Sequence, residues 1–253
     1  MTAGPYATTS SALGDTAFSS IEYRSETEST NADAAGMLAS ARTAGHTIVA
    51  GYQHRGMGRK GRSWEAGPNG ALLFTTILPG ELEARHLWLV PFWTALAVHD
   101  ALRSAGIATL LQWPNDILLG GGKLAGILCI SQVTGDRARA ACGIGLNVRR
   151  GLREIAGAAY CDDVAAVDEP TLLKAILRRF DEMLPLLQEC DDVVARWEIA
   201  AGIPGTRYRI ALDQAPEPFD AAALALELGG ALRVQHDDCT IQRVDMADAR
   251  VLR

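Results

Sequence analysis

Ten residues from Gln53 to Arg62 read Gln-His-Arg-Gly-Met-Gly-Arg-Lys-Gly-Arg and run on into Ser63 and Trp64. Arg55, Arg59, Lys60 and Arg62 put four strong cations among three glycines with no acid between them, in a chain of formal net charge −6. Glycine lets backbone N–H groups approach an anion closely, and arginine presents a planar fork of donors that fits phosphate or carboxylate. Read alone, the segment is either an anion-binding loop or a solvated basic turn.

Three further clusters carry polar chemistry. Trp113-Pro114-Asn115-Asp116 is followed seven residues later by Lys123-Leu124-Ala125-Gly126. One loop carboxylate suffices for Mg²⁺ when substrate phosphates supply the remaining oxygens, and a lysine beyond a glycine turn can meet developing negative charge. Read alone, the same residues are a turn and a hairpin tip. Gly143-Ile144-Gly145-Leu146-Asn147 places two glycines in a strand, which allows close approach of a ligand or another backbone. It lacks the third glycine and the following helix of a dinucleotide fingerprint. Glu28-Ser29-Thr30-Asn31 reads as a helix cap and also as a compact set of donors and acceptors for a polar ring or an anion.

These clusters need elements to hold them. Thr30 to Ala44 has a helix-start signal and a stop at Gly45. Strands are expected over 47–53 and 71–78, then a helix over 84–104 with Pro91 near its start, and a strand over 107–113. Leu124 to Val133 and Arg139 to Val148 flank the turn signal Thr134-Gly135-Asp136. Residues 171–200 read as helical and split at Pro185. Short strands over 208–212, 222–228, 231–235 and 240–244 then suggest a small β barrel. The expected class is α+β, with a mixed, mostly antiparallel sheet and flanking helices. The expected division is a flexible tail over 1–20, a catalytic domain over 21–201 and a small barrel over 202–253.

With 253 residues, 48% of them hydrophobic and 21% charged, the chain has the composition of a soluble globular protein. No apolar run reaches the length of a membrane span, and the N-terminus lacks a basic start followed by an apolar block. Five widely spaced cysteines at 129, 142, 161, 190 and 239 argue against a disulfide framework or a zinc site and suit a reducing cytoplasm. The acidic balance argues against nonspecific duplex binding. Single-stranded nucleic acid would call for several aromatics along the basic loop, where only Trp64 follows Tyr52.

Taken in order, Ser-Thr-Asn at 29–31, Gly-x-Gly-Arg-x-Gly-Arg-x-Trp at 56–64, Trp-Pro-Asn-Asp at 113–116, Lys-Leu-Ala-Gly-Ile-Leu at 123–128 and Gly-Ile-Gly-Leu-Asn-Val at 143–148 resemble the biotin protein ligases. The likeness runs over roughly residues 21–253 and implies a catalytic domain like that of class II aminoacyl-tRNA synthetases, followed by an SH3-like barrel. It implies ATP-dependent formation of biotinyl-5′-adenylate with release of pyrophosphate, then transfer of the biotinyl group to a lysine on the biotin carboxyl carrier domain of an acyl-CoA carboxylase. By motif position, Ser29, Thr30, Asn31, Gln53, Gly56, Met57 and Gly126 would border biotin. Arg59 and Lys123 would be catalytic, and Arg59 would also grip the biotin carboxylate or the adenylate phosphate. Lys60, Arg62, Asn115 and Asn147 would serve ATP, Asp116 would hold Mg²⁺ beside the triphosphate, and Trp64 would order the loop around both ligands.

About 20 residues precede the matched region, so a repressor domain, and with it DNA binding, is not expected. An exposed strand edge could serve a carrier domain or a homodimer. Met57 and Gln112 stand where the family usually has arginine and lysine, and Leu72 where it commonly has asparagine. His54 and Arg55 are the residues available to compensate. These departures keep open a diverged ligase of the same fold acting on another small carboxylic acid, and a noncatalytic binder of biotin or its adenylate.

Overall fold

The computed structural model describes residues 2–68, 70–151, 155–215 and 217–252. Along the chain come α1 (Ala7–Ala12), β1 (Ile21–Arg24), α2 (Thr30–Ala35), β2 (Thr47–Ala50), β3 (Ala71–Ile77), β4 (Leu82–Glu83), α3 (Val90–Ser104), β5 (Leu110–Gln112), β6 (Asp116–Leu119), β7 (Gly122–Thr134) and β8 (Arg137–Asn147). They are followed by α4 (Glu169–Met183), α5 (Cys190–Ala201), β9 (Arg207–Leu212), β10 (Phe219–Leu226), β11 (Leu232–Gln235), β12 (Ile241–Val244) and β13 (Ala249–Leu252).

The larger sheet has the order β1-β2-β3-β8-β7-β6-β5, with β4 on the end of β8. Among the described strands of this sheet only β1 and β2 pair in parallel; the other strand pairings are antiparallel. The β7–β8 hairpin closes through Gly135 at φ +63°, a conformation that glycine takes without a Cβ penalty. Helices α3, α4 and α5 cover one face, and α2 lies on the other against β3 and β8. The second sheet, β12-β11-β10-β9-β13, is antiparallel throughout. Its Ile210, Leu232 and Val234 join the same buried cluster as α3 and α4. The class is α+β, as the pattern of elements implies.

Local chemistry accounts for the helices. In α4, Leu172, Leu173, Ile176, Leu177, Phe180 and Met183 recur at helical spacing and are all buried. Full burial of each such side chain is worth about 1.5–3 kcal/mol. Asp168 starts the helix by accepting the Thr171 N–H at 2.8 Å. Pro91 sits in the first turn of α3, where its missing N–H costs nothing. Pro185 separates α4 from α5 through a 3-10 turn over Leu184–Gln188.

Two expectations change. Residues 1–20, read as a flexible tail, hold a 3-10 turn and α1, with Leu13 and Phe18 fully buried. Phe18 meets the edge of Phe180 at 5.9 Å, and Asp181 accepts the Ala17 N–H at 2.8 Å. Two isolated apolar anchors in a polar segment show no periodicity, so the sequence hides them. The helix expected over 30–44 stops at Ala35, where Gly36 follows, and 3-10 structure resumes only at Ala41–Thr43. Alanine content favoured helix there, but the low helix propensity of glycine ends it early.

Candidate active site

The glycine-rich loop, the start of α2, and strands β7 and β8 enclose a cleft of about 100 Å³. Of the expected site residues, Ser29, Thr30, Asn31, Gln53, Met57, Arg59, Arg62, Trp64, Asn115, Lys123 and Gly126 line it, together with Gly143 and Gly145. A broader outer hollow continues past Gly56, His54 and Arg55.

One end of the cleft is uncharged and heavily hydrogen-bonded. Ser29 caps α2 in an extended conformation, yet its hydroxyl makes no cap hydrogen bond. Gln53 does that work from the loop: its Oε1 accepts the Thr30 N–H at 2.7 Å and lies 3.0 Å from Thr30 Oγ1. Asn31 Nδ2 donates to the Leu128 carbonyl at 2.9 Å. Beneath them Thr75 on β3, fully buried, lies 2.8 Å from both Thr30 Oγ1 and Asn31 Oδ1. Sequence reading passed over Thr75, because a threonine inside an apolar strand looks like an ordinary β-former.

The other end is cationic. Lys123 Nζ lies 2.7 Å from Asp116 Oδ1 and 5.3 Å from the centre of the Trp64 ring. Arg59 donates to Asn115 Oδ1 at 3.4 Å and to the Met246 carbonyl, which reaches in after β12. Burial, and then the Arg62 charge, push the Arg59 guanidinium below its ordinary value, while Asp116 and Asp213 draw it back up. Arginine stays protonated at neutral pH all the same, so Arg59 is a half-desolvated cation that an incoming anion would relieve. Asn115 is held by its Nδ2 donating to the Ile127 carbonyl at 2.7 Å.

The two glycines of β8 make room for protein side chains, where the sequence suggested a ligand or backbone. A Cβ on Gly143 would fall 2.2 Å from Asn31 Oδ1, and one on Gly145 would fall 2.4 Å from Trp64 Cε2. Gly126 would meet Trp64 Cζ3 at 2.9 Å, and Gly56 would meet the Trp64 carbonyl at 2.5 Å. The Trp64 indole therefore lies flat on a floor that only glycine leaves open, its Nε1 buried with no hydrogen-bond partner among the described residues.

Other expected residues sit elsewhere. Asn147 does not border the cleft: it is buried, and its Nδ2 donates to the Lys123 carbonyl at 3.1 Å, which fixes the lysine's backbone. Asp116 lies behind Lys123 and does not line the cleft. Lys60, with φ +56°, turns to Asp213 in the second sheet's first loop at 2.6 Å. His54 and Arg55, expected as substitutes for missing cations, pair outward with Glu26 at 3.0 Å and Glu28 at 3.2 Å. Leu72 lies in the apolar core, Gln112 is buried on β5, and Met57 is 43% exposed at the cleft mouth. Asp213 and Met246 carried no signal in sequence, since nothing local ties a distant turn to the glycine loop.

Comparison with known proteins agrees with this geometry. Residues 23–147 match the model of the biotin/lipoate A/B protein ligase family. The biotin–[acetyl-CoA-carboxylase] ligase of Paracoccus denitrificans is 42% identical over 126 residues, 48% of this chain and 52% of that protein. The chain therefore spans about half the length of that relative, and 33% of the bifunctional ligase/repressor of Bacillus subtilis. The ligase of the same description from Mycobacterium tuberculosis is 28% identical over 227 residues, 83% of this chain and 84% of that protein. In fold, the chain is similar to the biotin protein ligase of Aquifex aeolicus solved with biotin and ATP, with TM-score 0.73 and 22% identity over 92% of this chain and 99% of that one. Residues 23–147, which span the glycine loop and the lysine and asparagine motifs, thus match a biotin/lipoate A/B protein ligase family domain, and the fold of nearly the whole chain is similar to that of a biotin protein ligase.

Proposed function

We propose that this chain is an ATP-dependent biotin ligase that forms biotinyl-5′-adenylate and passes the biotinyl group to a carrier-domain lysine. The observation that carries the reading is the polarity of the cleft: neutral donors and acceptors at one end, Arg59, Arg62 and Lys123 at the other. That suits an acid with a polar, uncharged head and a carboxylate tail delivered to a phosphate.

In the first step a biotin carboxylate oxygen attacks the α-phosphorus of ATP, and the bond from that phosphorus to the oxygen bridging the β-phosphate breaks. Pyrophosphate leaves with the electron pair. Two anions must be pressed together, so Arg59 and Lys123 offset their repulsion with charges already in place, which is the most effective form of electrostatic catalysis. Ser29, Thr30, Asn31 and Gln53 hold the head group, Met57 and Gly126 border it, and Trp64 closes over the adenylate from the Gly56 turn. In the second step the acceptor amine attacks the acyl carbon, the bond to AMP breaks, and the amine loses a proton. Lys123 is placed to stabilise the carbonyl oxygen in that step. Asn147 acts as a positioning residue through the Lys123 carbonyl.

Among the described residues no cluster of three or more His, Cys, Asp or Glu side chains offers a resident metal site. Asp116, behind Lys123, and the Asn115 amide beside it are the groups that would hold Mg²⁺ brought in on the triphosphate, which contributes its own oxygens. When bound, that ion would supply further neutralisation of phosphate charge. The acceptor we propose is the biotin carboxyl carrier domain of an acyl-CoA carboxylase, in the cytoplasm. Among the described residues no helix is long and apolar enough to cross a membrane. An open strand edge also suits a homodimer, which light scattering would detect.

Incubation with biotin, Mg-ATP and such a carrier domain, followed by intact mass, tests the transfer. The expected result is one biotinyl group on the carrier and none on its lysine-to-arginine variant; an unmodified, competent carrier would count against the reading. The Lys60–Asp213 pair gives a smaller prediction. Both side chains are solvent-exposed in part, so the pair is worth at most about 1 kcal/mol. ATP would draw Lys60 away from it. Asp213→Asn should therefore lower KM for ATP about two- to fivefold; a higher KM would mean that Asp213 supports the loop.

A further inference from the structure

Cys129 on β7 and Cys142 on β8 stand directly opposite each other in the antiparallel pair, and both are free thiols. Opposed residues on such strands have Cα atoms about 4.5 or 5.5 Å apart, according to the type of pair. Either spacing lies inside the roughly 4.4–6.8 Å that a disulfide spans. The two side chains also share a face of the sheet. Thr94 on α3, fully buried, has its Oγ1 3.7 Å from Cys129 Sγ and 3.2 Å from Cys142 Sγ, and its hydroxyl is held 2.7 Å from the Val90 carbonyl. The Cys142 thiol hydrogen-bonded to it, and then burial, push the Cys129 thiol well above its ordinary range. Access differs between the two. Cys142 is fully buried, whereas Cys129 is half-buried and lines a cavity of about 220 Å³ with Trp88, Pro91, Met246 and the site residues Arg59 and Asn115. Hydrogen peroxide is small enough to enter that cavity, and a protein thiol is not.

We propose that Cys129 and Cys142 form a reversible redox site, in which a peroxide converts the pair to a cross-strand disulfide and loosens the neutral end of the cleft. The Cys129 sulfur attacks one peroxide oxygen, the O–O bond breaks, and the thiol proton leaves with the departing oxygen as water. The Cys142 sulfur then attacks the sulfenic acid left on Cys129. The S–O bond breaks, the Cys142 proton goes to that oxygen, and a second water leaves. Two thiols and one peroxide thus give one disulfide and two waters, with two electrons passing from sulfur to oxygen. Cys129 holds little thiolate at neutral pH, so the site responds to sustained exposure, and the adjacent Cys142 stops the oxidation at the disulfide. The crosslink would draw the two Cβ atoms from about 4.5–5.5 Å to about 3.8 Å. Both chain neighbours seat Asn31: the Leu128 carbonyl accepts its amide at 2.9 Å, and Gly143 leaves room for it. The strands cannot tighten at 129 and 142 without shifting that seat. The effect on substrate rests on the function proposed above; the crosslink does not.

The test exposes the full, reduced chain to excess hydrogen peroxide and maps it without reductant. Tryptic peptides 124–137 and 140–149 should appear joined, with two hydrogens lost, and dithiothreitol should separate them. Neither Cys129→Ser nor Cys142→Ala should give the joined pair, and Cys129 in Cys142→Ala should pass on to sulfinic acid. KM for biotin in pyrophosphate release should rise at least about threefold on oxidation of wild type and return with dithiothreitol. Treated Cys129→Ser should stay within about twofold of its untreated value. In the ligand-free protein the Asn31 side-chain amide signals should move on oxidation of wild type and stay in place in Cys129→Ser. Unjoined peptides at an exposure that fully oxidises the exposed Cys239 would overturn the proposal, and so would a disulfide that leaves the Asn31 signals unmoved. A joined pair with moved Asn31 signals but no biotin turnover would uphold the redox site and count against the function alone.

Discussion

Lys123→Ala should slow adenylate formation by about 10²- to 10³-fold while leaving the protein folded. The ammonium is the cation that reaches both the Asp116 carboxylate at 2.7 Å and the face of Trp64 at 5.3 Å. On the proposed reading it stands where the carboxylate and α-phosphate would meet. Loss of one fixed donor to a transition-state charge typically costs about 2.7–4 kcal/mol. The backbone does not depend on the side chain. The Lys123 N–H donates to the Gly157 carbonyl at 2.7 Å, and its own carbonyl accepts from the Ala159 N–H at 2.9 Å and from Asn147. Some stability should be lost, because Asp116 keeps a largely buried charge without its cation. Lys123→Arg should not restore the rate, since a planar fork cannot replace a compact point charge over the same ring. Single-turnover pyrophosphate release, with circular dichroism to monitor folding, measures this. A folded Lys123→Ala protein of near-normal rate would remove Lys123 from the mechanism.

Gly145→Ala is the second large effect, and it involves no charge. The new methyl would lie 2.4 Å from Trp64 Cε2 and 2.6 Å from its Nε1. Strand β8 cannot retreat, because Gly145 pairs with Leu73 on one side and Gly126 on the other. The indole must leave the floor, and it takes the loop with it, since the Trp64 N–H is bonded to the Gly56 carbonyl at 2.8 Å. Overpacking of this kind costs about 1–3 kcal/mol. The loop that carries Arg59 and Arg62 would lose its closed position, so adenylate should escape at least about tenfold faster. Trp64→Phe in the same chain removes the colliding ring and should recover part of the stability. Recovery in the double variant, measured as a thermodynamic cycle, would show that the two residues interact directly. An equally destabilised double variant would place the cost in the strand itself.

The charged half of the site was legible because its composition is unusual. Four cations on a glycine loop, and a lysine after Trp-Pro-Asn-Asp, stand out in an acidic chain, and the structure gathers Arg59, Arg62, Asn115 and Lys123 around one cleft. The β7–β8 hairpin, the break at Pro185 and the short strands of the second sheet were legible for a similar reason, since turn residues punctuate them strongly. The neutral half was only partly legible. Ser29, Thr30 and Asn31 stood out as a cap, but the cap is made by Gln53, and Thr75 beneath them looked like any strand threonine. Asn147 was read as facing nucleotide, whereas its side chain is buried and donates to the Lys123 carbonyl. Glycines in a strand told of a close approach without saying what approaches. Those partners, Asn31 at Gly143 and Trp64 at Gly145, come from distant segments, and spacing within one strand cannot encode them.

Pyrophosphate release from purified protein with ATP, Mg²⁺ and biotin, and with no carrier domain present, bears most directly on the cleft's chemistry. Near-stoichiometric release that requires biotin, and stops when biotin is replaced by its amide, is the predicted result. Biotin that binds by calorimetry without releasing pyrophosphate, or release that responds only to a different acid, would contradict it.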